Sequence, residues 1–363
     1  MSPESLSLGA WCKARIVSGG RLLPTLLVGA CAGALAWYLN VPLPWLLGAL
    51  VVTTVLSLAG VRLPAPVASR KAVLVVIGVM LGTAFSPDMA GDIGRWSVSL
   101  IVMLASTAVM MAASVWLGRR VAGHSLDTAI YAGMPGGLSV VTLMAADTKA
   151  DLRVVGLTHA VRILVLLLAI PPVLQMIGHV SVQSRSITLA RWLAMPPVMD
   201  ALALVAAGLV GAWLGQRLRL PNPLLFGPVL VSAALHLTGV SEATIPPCIV
   251  ALAQVVIGAS VGVRFVGTSL SAVGFSLVIA VLQAFLLLLS AIVAAWIGHL
   301  LTGYSPAAEL LAYMPGGAPE LSLVALSLGI EPAFVTSHHL LRITVLILVM
   351  PTLLALLGRK RQP

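Results

Sequence analysis

The most constraining feature of this chain is that it carries one unusual stretch twice. Tyr131-Ala132-Gly133-Met134-Pro135-Gly136-Gly137 returns as Leu311-Ala312-Tyr313-Met314-Pro315-Gly316-Gly317, 180 residues later. The same displacement relates Ile77, Gly78 and Gly82 to Ile257, Gly258 and Gly262. It also relates His159 and Arg162 to His339 and Arg342, and Pro171 and Gly178 to Pro351 and Gly358. Upstream, Pro42, Pro44 and Gly48 match Pro221, Pro223 and Gly227 at a displacement of 179. A repeat of this period limits the fold before any other argument: two halves of one architecture, residues 22–178 and 199–358. A more polar linker at 179–198 joins them, with tails at 1–21 and 359–363.

Composition sets the solvent. Apolar residues make up 60% and charged residues 9%, with a mean hydropathy of +1.08. A soluble domain carries roughly a quarter charged residues, so this chain cannot cover its surface with polar groups. Apolar segments recur at 22–39, 43–60, 71–86, 97–118, 128–146 and 153–177. The second half repeats them at 201–215, 223–238, 247–262, 270–298, 306–329 and 335–357. The expectation is an all-α polytopic membrane protein in the bilayer, with no cofactor and no metal. The net charge of +10 is spread over short loops and tails and does not indicate nucleic acid. Cys12, Cys31 and Cys248 have no metal or disulfide spacing. The N-terminal stretch also admits a signal-peptide reading, but its counterpart at 202–215 lies mid-chain, which favours a retained helix.

Lys and Arg decide the orientation. With twelve crossings the halves are parallel, with 13 basic loop residues inside and six outside. If the two Pro-Gly-Gly segments enter and return on one side, the halves are inverted and the count becomes 16 against three. The expectation is therefore two inverted repeats, each of five crossing helices plus one broken or re-entrant segment, with both termini cytoplasmic.

The broken segments point to a site. Pro lacks an N–H and Gly tolerates unusual dihedrals. In hydrocarbon, each freed backbone group costs several kcal/mol unless protein or cavity water satisfies it. Matching breaks in two repeats are the sequence sign of a transporter site near the midplane; a kink or close helix contact is the plainer reading. Met134, Pro135, Gly136 and Gly137, with Met314, Pro315, Gly316 and Gly317, are the first candidates. Asp151 and Glu331 precede the final span of each half as capping acids or site residues. Eleven residues on, Arg162 and Arg342 fall roughly 16 Å into a ~30 Å core, where an arginine marks a site or ties down loose carbonyls. His159 and His339 share their helix faces. His338 and Tyr313 are secondary candidates. Glu320, opposite Val140 in the first half, could pair with Arg342 or Arg162, or carry a coupling proton.

Paired Met-Pro-Gly-Gly followed by His-x-x-Arg, in a basic chain with two repeats, resembles the AbrB-type membrane family. That family is distinct from the small soluble DNA-binding proteins of the same name. The resemblance spans about Leu22 to Gly358. It implies a bacterial inner-membrane protein, often labelled an ammonia monooxygenase or a regulator, with repeats similar to those of cation/proton antiporters and anion transporters. Leu138-Ser139-Val140 lacks an acid, which argues against a symmetric two-acid site. The leading expectation is a non-enzymatic secondary transporter for a small anionic solute, coupled to protons, as a monomer or homo-oligomer. A membrane-embedded regulator is the alternative. A monooxygenase is the weakest reading, because the paired histidines sit beside arginines that repel a metal cation.

Overall fold

The computed structural model describes residues 8–87, 89, 93–136, 138–146, 148–178, 192–268 and 270–359, with side chains from residue 23 to 350 apart from a few at the margins of these ranges. Gly137, most of the linker with Arg185 and Arg191, and both chain ends lie outside the described residues.

Fourteen α-helices and no strand are found among the described residues, seven to each half. The first half holds α1 (Leu8–Tyr38), α2 (Pro44–Leu58), α3 (Val67–Gly82), α4 (Ile93–Arg120), α5 (Leu126–Gly133), α6 (Leu138–Ala146) and α7 (Leu152–Gly178). The second holds α8 (Val198–Arg217), α9 (Pro223–Leu237), α10 (Pro247–Gly262), α11 (Leu270–Thr302), α12 (Pro306–Tyr313), α13 (Ala318–Leu328) and α14 (Pro332–Arg359). Each expected span is a helix, and each Pro-Gly-Gly segment is a helix pair. Most boundaries shift by a few residues, and one differs far more. The N-terminal stretch expected as a polar tail to residue 21 is helical from Leu8, since its Ala, Leu, Lys and Arg residues are all good helix formers.

The backbone repeats in detail. Non-glycine residues with positive φ occur at Asn40 and Leu43 in one half and at Arg219 and Asn222 in the other, again 179 apart. Such conformations are uncommon for side-chain-bearing residues, so matching pairs reflect one turn geometry used twice. Leu43 and Asn222 immediately precede the prolines that open α2 and α9.

Two helix groups result. Helices α1–α3 pack with α8–α10, and α4–α7 pack with α11–α14. In the first group the halves interlock, α2 against α10 and α3 against α9. Glycines make this possible. A Cβ at Gly258 would meet the Leu46 carbonyl, and one at Gly78 the Leu225 carbonyl, so these backbones touch. In the second group, Tyr313, Gly298 and Ser99 meet near one end, while Gly133, Ser114 and Gln283 meet near the other. Helix α4 therefore runs antiparallel to its own counterpart α11. Among the described residues, six helices are long and apolar enough to cross a membrane. Helices α2 and α9, at 15 residues, reach about 22 Å, less than a ~30 Å hydrocarbon core.

Candidate functional site

Both broken segments are hairpins whose two ends lie at the same end of the molecule. Ser125 caps α5 by accepting from the Thr128 N–H at 3.2 Å, and Ser305 caps α12 by accepting from the Ala308 N–H at 3.1 Å. Helix α5 ends at Gly133 and the chain turns around Pro135, with the Gly136 N–H donating to the Met134 carbonyl. The second hairpin turns identically, Gly316 N–H to Met314 carbonyl. The chain then returns along α6 or α13. The start of α7 lies beside the start of α5, where the Asp151 N–H donates to Thr128 Oγ1 at 2.9 Å. From there α7 runs alongside α5: His159 contacts the Tyr131 carbonyl and Arg162 the Met134 carbonyl.

Each tip is clamped by the arginine of the following helix. Arg162 Nη1 donates to the Met134 carbonyl at 3.1 Å, and Nη2 donates to His159 Nδ1 at 3.1 Å. His159 Nε2 in turn donates to the Tyr131 carbonyl at 2.9 Å. These partners fix a neutral histidine protonated on Nε2, because Nδ1 accepts from a cation. In the second half, Arg342 Nη1 donates to both the Tyr313 and Met314 carbonyls at 3.1 Å, and Nη2 to His339 Nδ1 at 2.6 Å. The His339 ring lies against the Leu311 carbonyl, but its Nε2 makes no bond of ordinary geometry. Both arginines are 1% exposed, and Nε of each has no partner. They lie within each other's electrostatic reach. The carbonyl-anchoring role open to them from sequence is thus physically present, and it leaves N–H groups of both guanidiniums uncommitted.

Glu320 departs from expectation. It pairs with neither Arg162 nor Arg342; its Oε1 lies 3.7 Å from Arg70 Nη2. Its carboxylate also folds back over Gly317, at the N-terminus of α13, where the helix dipole favours an anion. Val140 stands at the equivalent place in the first half, and α6 has no acid in its first turn.

Two arginines that the sequence placed in loops belong here. Arg70 sits in the first turn of α3. Arg264 sits in a 3-10 turn, Val263–Phe265, closing α10, and its Nη1 is buried without a partner. Arg264 lies within the fields of Arg70, Glu320 and His159. Four arginines and one glutamate are therefore linked around the tips. Removing Arg70 and Arg264 from the loop count leaves 14 against three for inverted halves and 12 against five for parallel ones.

The capping acids sit away from this cluster. Asp151 Oδ1 accepts from the Arg153 N–H at 2.9 Å and the Val154 N–H at 3.3 Å. Glu331 takes a positive φ of 37° ahead of α14. His338 and Tyr313 turn instead toward Ser99 and Glu309, a buried group that no short sequence motif announces. Among the described residues, no three of His, Cys, Asp and Glu come together as a metal ion would require.

A family profile described as "Transition state regulatory protein AbrB" matches residues 8–358. The chain is similar to "Uncharacterized protein YhjN" of Bacillus subtilis (strain 168), 22% identical over 356 residues and 91% of each chain. It is also similar to "Putative regulator AbrB" of Escherichia coli (strain K12), 25% identical over 319 residues, 86% of this chain and 90% of the other. With the profile matched over nearly its whole length and an all-helical, span-rich architecture, the chain belongs to the AbrB family of multi-pass membrane-type proteins.

Proposed function

We propose that this protein is a secondary-transporter-like carrier that binds a small carboxylate-like anion between the two hairpin tips and moves it with protons. The observation that carries the reading is the pair Arg162 and Arg342. Two buried cations occupy equivalent positions within each other's field, and neither has a carboxylate within salt-bridge distance among the described residues. A buried arginine is costly in a membrane interior, and two like charges add repulsion at low dielectric. An anion seated between them relieves both costs, and the unpartnered Nε groups supply donors for it.

The same reading orients the protein. Antiparallel α4 and α11 support inverted repeats, with the first hairpin re-entrant from the cytoplasm and the second from the opposite side. Ten other helices cross, and both termini are cytoplasmic in a bacterial inner membrane. The corrected charge count favours this arrangement. The name of the Escherichia coli relative suggests regulation instead, but a cluster of four buried or half-buried arginines suits anion binding better. Purified protein in liposomes tests the proposal: an inward proton gradient should drive uptake of a radiolabelled carboxylate from a panel of small mono- and dicarboxylates. Equal uptake with and without the gradient, or none across the panel, contradicts it.

A further inference from the structure

A second polar cluster lies where α12 of the second hairpin packs against α4, α11 and α14. Ser99 Oγ on α4 is 2.7 Å from Glu309 Oε2, 2.8 Å from His338 Nε2 and 2.9 Å from the Tyr313 hydroxyl. Glu309 Oε1 accepts from Thr302 Oγ1 at 2.7 Å. His338 Nδ1 faces the Phe334 carbonyl at 2.8 Å, and the Tyr313 hydroxyl donates to the Ser99 carbonyl at 3.0 Å. Glu309, His338 and Ser99 are all 0% exposed.

Counting hydrogens fixes how many protons this array holds. A carbonyl only accepts, so His338 must carry its proton on Nδ1, which leaves Nε2 of a neutral ring as an acceptor. Ser99 has one hydroxyl hydrogen. With Glu309 ionised and His338 neutral, that hydrogen serves the carboxylate or the imidazole but not both. One short contact is then acceptor against acceptor, away from water, whichever way Tyr313 turns. One added proton resolves the conflict in either of two ways. Glu309 donates to Ser99 and Ser99 donates to His338 Nε2, or protonated His338 donates to Ser99 and Ser99 donates to ionised Glu309. The two forms interconvert when the Glu309 O–H bond breaks toward Ser99 Oγ while the Ser99 O–H proton passes to Nε2. No atom or charge is lost.

The first half supplies a built-in comparison. The positions equivalent to Ser99, Thr302, Glu309, Tyr313 and His338 are Ile279, Ala122, Ala129, Gly133 and Thr158. Four of the five cannot hold or relay a proton through a side chain, so the array exists on one side only. It begins one turn inside the mouth of the second hairpin. Between it and that mouth stand Phe334, its ring 4.0 Å from the His338 ring, Tyr304 stacked on Phe334, and Trp96, whose Nε1 donates to the Tyr304 hydroxyl at 2.8 Å.

We propose that Glu309, Ser99 and His338 form a proton-binding site that stores one proton shared between carboxylate and imidazole and exchanges it with the side on which the second hairpin opens. Resting on the carrier reading above, this array rather than Glu320 takes up the coupling proton, and its protonation ties α12 to α4 and α14. The other titratable groups around it are Tyr313 on α12, Arg342 and His339 on α14, and His299 on α11, whose Nδ1 lies 2.6 Å from the Tyr304 carbonyl.

The test uses the full-length protein with no solute present, so its outcome does not depend on the anion site. Infrared titration follows the carbonyl stretch of a protonated carboxylic acid, and nitrogen-15 spectra follow the His338 ring. The expected result at neutral pH is one bound proton, seen as a Glu309 carboxylic acid, a doubly protonated His338, or both in exchange. Both signals should disappear together in a single alkaline step. Glu309→Gln, whose amide can still donate to Ser99, should leave His338 neutral and remove one proton from the back-titration. His338→Gln is the second variant should the first fold poorly. Finding Glu309 ionised with His338 neutral at neutral pH, or His338 taking up a proton unchanged in Glu309→Gln, overturns the proposal. Loss of carboxylate binding in Arg162→Gln would leave these signals unmoved.

Discussion

Substituting each clamp arginine by glutamine should loosen its hairpin, and the two hairpins should respond unequally. Arg162 holds one tip carbonyl, Met134, whereas Arg342 holds two, Tyr313 and Met314, all at 3.1 Å. A hydrogen bond from a charged donor contributes about 1.5–3 kcal/mol. Taking ~2 kcal/mol per bond, Arg162→Gln should ease opening of the first tip by about 30-fold and Arg342→Gln the second by about 1000-fold. Hydrogen exchange followed by mass spectrometry reads this directly. Peptides covering 131–137 and 311–317 contain the Gly136 and Gly316 amides that close the two turns, and local opening sets their exchange. Arg342→Lys should fall between wild type and glutamine, because an ammonium keeps the charge without the planar fork. Equal acceleration at both tips, or a larger effect from Arg162→Gln, would refute the reasoning.

Other outcomes follow from the same geometry. Single cysteines at Gly123 and Lys149 should be labelled from one side of the membrane and those at Gly303 and Glu331 from the other; opposite sides within either pair would mean that hairpin crosses instead of returning. Gly258→Ala places a methyl against the Leu46 carbonyl and should cost about 1–3 kcal/mol in detergent melting. Gly156→Ala, with open space around it in the second turn of α7, should be stabilising by about 0.5–1 kcal/mol, so similar melting of both would undo the close-packing account. Glu320→Gln removes the negative charge at the α13 N-terminus and should tighten carboxylate binding about tenfold, or ~1.4 kcal/mol, measured by calorimetry; weaker binding would place Glu320 among the ligands' supports instead.

The architecture was readable because membrane helices must satisfy their own backbone, so span length and Pro-Gly-Gly breaks leave a clear trace. His159, Arg162, His339 and Arg342 could be found from spacing alone, since each pair lies three residues apart on a helix. Partners from distant elements were not readable. Arg70 and Glu320 are 250 residues apart, and Arg70 looks like a loop charge next to Lys71. Arg264 follows an apolar span and reads as flanking basic residue, although it is folded inward. Glu309 was hidden for another reason: an acid in the first turn of a helix is ordinary dipole chemistry. Only the packing of α4, which brings Ser99 from 210 residues away, gives it another role. One signal was available in sequence. Glu309 and His338 both break the repeat, facing Ala129 and Thr158, and paired departures from an internal symmetry mark where the halves were specialised.

Calorimetric binding of small carboxylates to purified wild-type protein, Arg162→Gln and Arg342→Gln tests the central claim most directly. The account predicts that the native protein binds a carboxylate, that each single variant weakens it by at least tenfold, ~1.4 kcal/mol, and that the double variant abolishes it. Binding of a cationic or neutral solute by the native protein, undiminished in both variants, would contradict the account and reduce the two arginines to anchors for the hairpin tips.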